Sequence, residues 1–254
     1  MFAPTDLLEK SVEYEECLIA ALVTERSYSN TGSSRPICLT GGSGGYQEID
    51  ADWTVPTVDC ASAESDSATS DWVGVNESPG LCQDGTTSQC VSGQQDDYAW
   101  WTDDAENCLP SSLTAVEPGD VISAEVWQET SGFWAQYVSD LTSGSSSSAA
   151  EPFSGPGTTA EWIAEDRGDP STNGPYPFAD FGSVTFTDLG LIVPSGSWTV
   201  PPHPDAWEMV VPDGSVEALP SPIQGSGATT AFTATYERPG VMSSTAGSAG
   251  MKHP

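Results

Sequence analysis

The sequence is nearly devoid of positive charge. Its 254 residues include 6 Lys and Arg against 37 Asp and Glu, a formal net charge of −31. So few cations cannot neutralise phosphates, so we expect no nucleic-acid partner and no binding to anionic membranes. Strong salt would screen the repulsion between the carboxylates, and acid would protonate many of them. The composition is compatible with either environment.

Histidine is almost as scarce, with His203 in a proline-rich segment and His253 near the C-terminus. A serine hydrolase needs a histidine beside its nucleophile, so we interpret both as surface residues. No Cys-x-x-Cys pair occurs, and the histidines lie far from the cysteines, which argues against zinc. EF-hand spacing and a phosphate-binding loop are also missing from the sequence. We therefore expect neither a metal nor a cofactor.

Long apolar runs are missing too, so no membrane-spanning helix is predicted. No signal peptide is evident at the N-terminus, which fits a truncated or misassigned start or a leader already removed. An even number of cysteines, six, nevertheless favours disulfides and an oxidising compartment. We therefore expect a secreted monomer. The pairings that we favour are Cys60–Cys90, Cys82–Cys108 and Cys17–Cys38.

What the chain has in quantity is turn formers and aromatic residues: 25 Gly, 20 Pro and 9 Trp. Between the turns, apolar residues alternate with polar ones, as in 121–129, where Ile122, Ala124 and Val126 share one face. Further strands are predicted over 132–140, 182–189, 206–211 and 230–237. This pattern predicts an all-β fold, a concanavalin-like or jelly-roll sandwich of two antiparallel sheets.

The N-terminal segment differs from the rest. Residues 5–25 form a helix candidate, and residues 27–45 are rich in Ser and Gly, as in a linker. We therefore predict a short helix and linker over 1–46, which fits a propeptide remnant that the sandwich does not need. The sandwich is predicted over 47–240 and a disordered tail over 241–254.

Carboxylates stand out in the segment TTAEWIAEDRG, residues 158–168. In a strand, Glu161, Ile163 and Glu165 point to one face, with the two glutamate Cα atoms on the order of 13 Å apart. Leaning side chains could shorten the carboxyl separation to the roughly 5–9.5 Å of a glycosidase. A glycoside-hydrolysing or carbohydrate-binding sandwich is therefore one hypothesis. A second polar element is Gln83, in a segment between two Trp-containing strands.

Taken in order, several motifs resemble the glutamic peptidases, or eqolisins, over roughly residues 50–238. The motifs are DWTVP (52–56), WVGV (72–75), CQDGT (82–86), YAWW (98–101), PGDVISAEV (118–126), AEWIAED (160–166), FADFGSVTFT (178–187) and FTATYE (232–237). The resemblance implies a curved sandwich that binds a polypeptide across its concave face. It also implies a Gln/Glu catalytic dyad, here Gln83 and Glu161.

The resemblance further implies that Trp72 and Trp100 line the cleft, and Glu165 is the second candidate carboxylate. Three positions that border the cleft in the family depart from its pattern. Asn76 replaces an aspartate, Thr102 a glutamate and Asp104 an aromatic residue. These departures affect substrate preference first, and they keep open a third hypothesis, an inactive homologue.

A Gln/Glu dyad is suited to catalysis at acid pH. A glutamate, with an ordinary pKa of about 4.3, is still partly ionised at a pH where a histidine base would be fully protonated. A glutamine amide does not titrate there and can donate to an oxyanion at any pH. The leading hypothesis is therefore an acid-acting endopeptidase in which Glu161 activates water and Gln83 stabilises the oxyanion.

Overall fold

The structure is a computed structural model of the chain. It describes residues 37–40, 45–61, 67–75, 81–102, 108–111, 113, 115–153, 157, 159–166, 168–169, 174–175, 177–199, 205–206, 209–210 and 216–237. The predicted helix over 5–25 and the tail over 241–254 lie outside these residues.

The described residues form eighteen strands and a single 3-10 helix, Gly227–Thr229. The strands are β1 (Ile37–Thr40), β2 (Glu48–Thr54), β3 (Ala68–Val75), β4 (Cys82–Val91), β5 (Gln94–Thr102), β6 (Cys108–Pro110), β7 (Val121–Thr130), β8 (Phe133–Asp140), β9 (Ser145–Pro152), β10 (Ala160–Glu165), β11 (Gly168–Asp169), β12 (Gly174–Pro175), β13 (Ser183–Ile192), β14 (Trp198–Thr199), β15 (Asp205–Ala206), β16 (Met209–Val210), β17 (Val216–Pro220) and β18 (Ala231–Tyr236).

Two antiparallel sheets make up the sandwich, which confirms the predicted fold class. The seven-stranded sheet has the order β15-β1-β10-β3-β4-β5-β6. The nine-stranded sheet runs β16-β17-β18-β13-β2-β7-β8-β9, with β14 paired to β13, and β11 and β12 form a separate ribbon. None of the described segments is a helix of the length and hydrophobicity needed to cross a membrane.

Strand β1 lies inside the segment predicted to be a linker. It pairs with β10, Ile37 opposite Ala164, and with β15 on its other edge. The linker prediction therefore does not hold for residues 37–40. These four residues supply the backbone partners that β10 needs on the edge facing away from β3, because an unpaired strand edge inside a sheet leaves its N–H and C=O groups without bonds.

The core lies between the two sheets, as the alternation predicts. Ile122, Ala124 and Val126 are buried, whereas the residues between them keep exposed surface. Two tryptophans tie the sheets together with hydrogen bonds. The Trp53 indole N–H donates to Thr86 Oγ1 at 3.0 Å, and the Trp162 indole N–H donates to the Asp50 carbonyl at 2.8 Å.

One disulfide is present among the described residues, and it is the predicted Cys60–Cys90 pair. The predicted Cys82–Cys108 pair is wrong, because Cys82 is a free, buried thiol. The sheet order explains the error: Cys82 is on β4 and Cys108 on β6, with β5 between them. Two strand spacings amount to roughly 10 Å, too far for a disulfide. Cys17, the predicted partner of Cys38, lies outside the described residues.

Candidate active site

Three neighbouring strands bring the two predicted catalytic side chains to one level of the seven-stranded sheet. Glu161 on β10 is in register with Gly74 on β3, and Gly74 is in register with Gln83 on β4. All three lie on the face directed away from the sandwich core, since Val73, Trp162 and Cys82, their chain neighbours, belong to that core. Glu161 and Gln83 are therefore two strands apart, with Cα atoms on the order of 10 Å from each other.

Gly74 lies between these two side chains, and its neighbours fill the space that a side chain at this position would need. A Cβ atom at this position would lie 2.8 Å from Trp72 Cζ3, 3.0 Å from Gln83 Cβ and 3.2 Å from the Cys82 carbonyl oxygen. Distances of this size are below ordinary van der Waals contact. The absent side chain is thus what allows Gln83 and Trp72 to occupy their positions beside Glu161.

Gly74→Ala should therefore damage the site more than the fold. We expect a loss of roughly 1–3 kcal/mol in unfolding free energy from overpacking. We also expect kcat for the peptide hydrolysis that the motifs predict to fall at least about 10-fold as the methyl group displaces the Gln83 side chain. Steady-state kinetics and thermal melting of the purified variant measure both effects. A folded variant with wild-type kcat would show that Gly74 has no such role.

The amide of Gln83 is buried without a fixed partner. The residue is 0% exposed, and neither Nε2 nor Oε1 has a hydrogen-bond partner within the described part of the chain. Buried amides are nearly always hydrogen-bonded in folded proteins, so an orphan of this kind needs an explanation. Glu161, 2% exposed, shares its row. A donor and a carboxylate held at one level can bind a polar group placed between them, such as the carbonyl of a substrate.

An apolar cluster lies beside this row, on the same face. It comprises Trp72, Leu81, Trp100 and Ile163, with Tyr98 against it. The register again explains the contact, because Ile163, Trp72, Gly85 and Trp100 are opposite one another on four consecutive strands. Gly85 must be a glycine, since a Cβ there would lie 2.2 Å from the Asp71 carbonyl oxygen and 2.6 Å from Trp72 Cβ.

Glu165 lies on the same face of β10 as Ile163, two residues further along the strand. Its Oε1 accepts a hydrogen bond from the Trp72 indole N–H at 2.8 Å. Burial of the carboxyl raises the pKa of Glu165 to about 8, and the negative charges of Asp166 and Glu161 add to the rise, although the residue as a whole keeps some exposed surface. Glu165 is thus a neutral acid below neutral pH, held against Trp72.

Two hydroxyls orient the second tryptophan. The Trp100 indole N–H donates to Thr87 Oγ1 at 3.0 Å, and Thr87 Oγ1 is 2.7 Å from Ser70 Oγ. Ser70 and Thr87 are not among the site residues predicted from the sequence. No local signal marks them, because their role follows from the register of β3, β4 and β5.

The structure thus brings together five of the six predicted site residues: Gln83, Glu161, Trp72, Trp100 and Glu165. The sixth, Asn76, lies outside the described residues, and so does Asp104. Thr102 is fully buried and contacts the Gln83 backbone. Within the ranges that the structure describes, no group of three or more His, Cys, Asp or Glu side chains could hold a metal ion.

Comparison with known proteins relates the chain to a peptidase family. Residues 37–218 match the Peptidase A4 family. Aspergillopepsin-2 from Aspergillus niger is 29% identical over 198 residues, which cover 68% of each chain.

Solved structures share the fold. Scytalido-glutamic peptidase with a peptide-based transition-state analogue superimposes with a TM-score of 0.68 at 21% identity, covering 82% of this chain and 100% of that one. SCP-B, described as a member of the eqolisin family of peptidases in complex with the tripeptide Ala-Ile-His, gives a TM-score of 0.67 at 20% identity with the same coverage. Since the family match extends over well more than half of the sequence, the chain belongs to the peptidase A4 family, the glutamic peptidases.

Proposed function

We propose that the protein is an acid-acting endopeptidase that uses Glu161 and Gln83 as a catalytic dyad. The observation that carries the proposal is the row Glu161, Gly74, Gln83 on one face of the sheet. The two functional groups project from either side of a glycine, and the amide of Gln83 is free of other partners in the described part of the chain. This arrangement supports the assignment of Glu161 as base and Gln83 as oxyanion donor on opposite sides of one substrate position.

The mechanism needs only these two side chains and water. Glu161, as carboxylate, takes a proton from a water molecule while the water oxygen bonds to the carbonyl carbon of the scissile peptide. The carbonyl oxygen becomes an oxyanion, to which Gln83 Nε2–H donates. Glu161 then gives its proton to the departing amide nitrogen as the C–N bond breaks. The products are a carboxylic acid and an amine, and Glu161 is ready for the next cycle.

The substrate is proposed to be a polypeptide lying across the apolar cluster. Trp72 and Trp100 would contact its side chains, and Asn76 and Glu165 would contribute polar contacts. Large, rigid aromatic side chains bury much area at little entropic cost. The solved relatives that contain a tripeptide or a peptide-based transition-state analogue support a peptide as the ligand class.

The alternative reading as a glycosidase rests on Glu161 and Glu165 acting as a carboxyl pair. The pair does share one face, but Glu165 is hydrogen-bonded to Trp72, whereas Gln83 lies at the level of Glu161 across Gly74. Together with membership of a peptidase family, this favours peptide hydrolysis.

An acid-acting enzyme with a structural disulfide fits an extracellular site of action, and we propose that the protein is secreted and acts as a monomer. Disulfides persist in oxidising compartments. In acid, protonation removes much of the self-repulsion that the net charge of −31 creates.

Digestion of an unfolded protein tests the proposal. At about pH 3 we expect internal cleavage of the substrate that pepstatin does not prevent, because the base is not part of an aspartate pair. At about pH 7 we expect little cleavage. Inhibition by pepstatin, or activity confined to neutral pH, would contradict the Gln/Glu dyad. Release of single terminal residues only would contradict endopeptidase action.

A further inference from the structure

The side chain of Gln136 connects the second sheet to the end of strand β5. Gln136 lies on β8, is 1% exposed and points into the sandwich. Its Oε1 accepts a hydrogen bond from the Thr102 backbone N–H at 3.0 Å, and its Nε2 donates to the Thr102 carbonyl at 2.7 Å. Two opposed hydrogen bonds from one amide fix both the position and the orientation of residue 102.

Thr102 in turn contacts the backbone of Gln83. The side chain is 0% exposed, and its Oγ1 accepts a hydrogen bond from the Gln83 N–H at 3.1 Å. The same hydroxyl lies within donating distance of the Gln83 carbonyl, 3.2 Å, and of the Leu81 carbonyl, 3.3 Å. The hydroxyl therefore meets both backbone polar groups of Gln83.

This contact stands at the point where the β4–β5 ladder ends. The last pair of this ladder is Asp84 with Trp101. Gln83 and Thr102 each lie one residue beyond that pair. Without the Thr102 hydroxyl, the Gln83 N–H would lose its partner at the end of the β4–β5 ladder. The Gln83 side chain offers no compensation, because its own amide is unpartnered among the described residues.

We propose that Thr102 and Gln136 are positioning residues that hold the backbone of Gln83 so that its amide faces Glu161 across Gly74. The inference rests on the proposed function of Gln83 as oxyanion donor. Such a donor must be placed within a few tenths of an ångström, and a misplacement of about 1 Å can cost roughly 100-fold in rate. A bridge to the opposite sheet supplies that rigidity, because β8 is held between β7 and β9.

The test compares variants that keep volume but remove hydrogen bonds. Thr102→Val keeps the shape of the side chain and removes the hydroxyl, whereas Thr102→Ser keeps the hydroxyl. Gln136→Met removes both hydrogen bonds that the side-chain amide makes to residue 102. Thr69→Val is the matched control, because Thr69 is equally buried and its hydroxyl has no partner within the described residues. Melting temperatures establish that each variant is folded.

We expect Thr102→Val and Gln136→Met to lower kcat for a peptide substrate roughly 10- to 100-fold, with KM changed less than about 3-fold. Thr102→Ser should restore most of kcat, and Thr69→Val should match the wild type. If Gln136→Met does not fold, Thr102→Val and Thr102→Ser carry the same comparison. Folded Thr102→Val with wild-type kcat would overturn the inference.

A double-mutant cycle with Gln83→Ala separates this inference from the proposed function. If the two residues act through Gln83, Thr102→Val should cause no further loss of kcat in the Gln83→Ala background. A loss of the same size in both backgrounds would overturn the positioning role while leaving the dyad intact. Wild-type kcat in Gln83→Ala itself would instead refute the proposed function.

Discussion

Glu161→Gln should lower kcat for peptide hydrolysis by about 1,000-fold or more at every acid pH. The substitution keeps the size of the side chain and removes the only group in the row with Gly74 and Gln83 that can accept a proton from water. General acid–base catalysis by a positioned side chain typically contributes on the order of 100- to 10,000-fold. Here one residue serves both as base and as acid, so the loss should lie in the upper part of that range.

Gln83→Ala should cause a smaller loss, roughly 100- to 1,000-fold, through the missing donor to the oxyanion. The effect should appear in kcat more than in KM, because the oxyanion exists only on the way to products. Both variants should melt within a few degrees of the wild type. Glu129→Gln, a change at an exposed position of β7, is the control and should be fully active.

Kinetics with a chromogenic peptide between pH 2 and 6 would decide the question. Equal activity of the wild type and Glu161→Gln at any acid pH would eliminate Glu161 as the base. If Glu165→Gln, not Glu161→Gln, removed activity, the second carboxylate on the same face would be the base.

The folded protein should be more stable near pH 4 than near pH 8 in low salt. The cause lies in carboxyl groups that the fold desolvates. Burial raises the pKa of Asp71 and of Asp50 to about 8, and like charges around Asp50 add to its rise. Burial likewise raises the pKa of Glu165 to about 8 and that of Glu217 to about 7.

The sign follows from proton binding. These folded-state pKa values exceed the ordinary values near 4, so the folded chain holds more protons than the unfolded chain between about pH 4 and pH 8. The stabilisation that these neutral carboxyl groups provide is therefore fully present below about pH 4. It is lost progressively as pH rises through the folded-state pKa values. For Asp71, which is 1% exposed, a rise from 3.8 to about 8 corresponds to a loss on the order of 5 kcal/mol. The partly exposed groups contribute less, since water screens them.

Asp71→Asn tests this account, because an amide cannot ionise. Its melting temperature should fall less between pH 4 and pH 8 than that of the wild type, whereas Glu129→Gln at an exposed site should behave like the wild type. Salt near 0.1 M should recover the part of the loss that comes from surface repulsion but not the part from Asp71. A melting temperature that rises from pH 4 to pH 8 in low salt would contradict the argument. If only molar salt restored the melting temperature at pH 8, the result would point to a halophilic origin.

Most strand assignments could be read from the sequence, because alternation is a local property with a period of two residues. The single strand predicted over 206–211 is wrong, because β15 and β16, at its two ends, belong to different sheets. The pattern in 121–129 placed Ile122, Ala124 and Val126 on one face of a strand, and the structure buries that face in the core. The same reasoning placed Glu161 and Glu165 on one face of a strand, and the structure directs that face of β10 away from the sandwich core. The family motifs pointed to Gln83, Trp72 and Trp100, which lie on one face of the seven-stranded sheet, and the predicted Cys60–Cys90 disulfide is present.

Only the folded chain decided the order of the strands in each sheet and the register of their pairing. Gly74 stands between Glu161 and Gln83 because β3 separates β10 from β4, an order set by the summed pairing and packing of distant segments. The same order keeps Cys82 from Cys108 and draws residues 37–40 into the sheet. The hydrogen bonds from Gln136 to Thr102 connect the two sheets, so the sequence pattern of either strand alone could not predict them. Local chemistry therefore determined the face on which each side chain lies, and long-range pairing determined its neighbours.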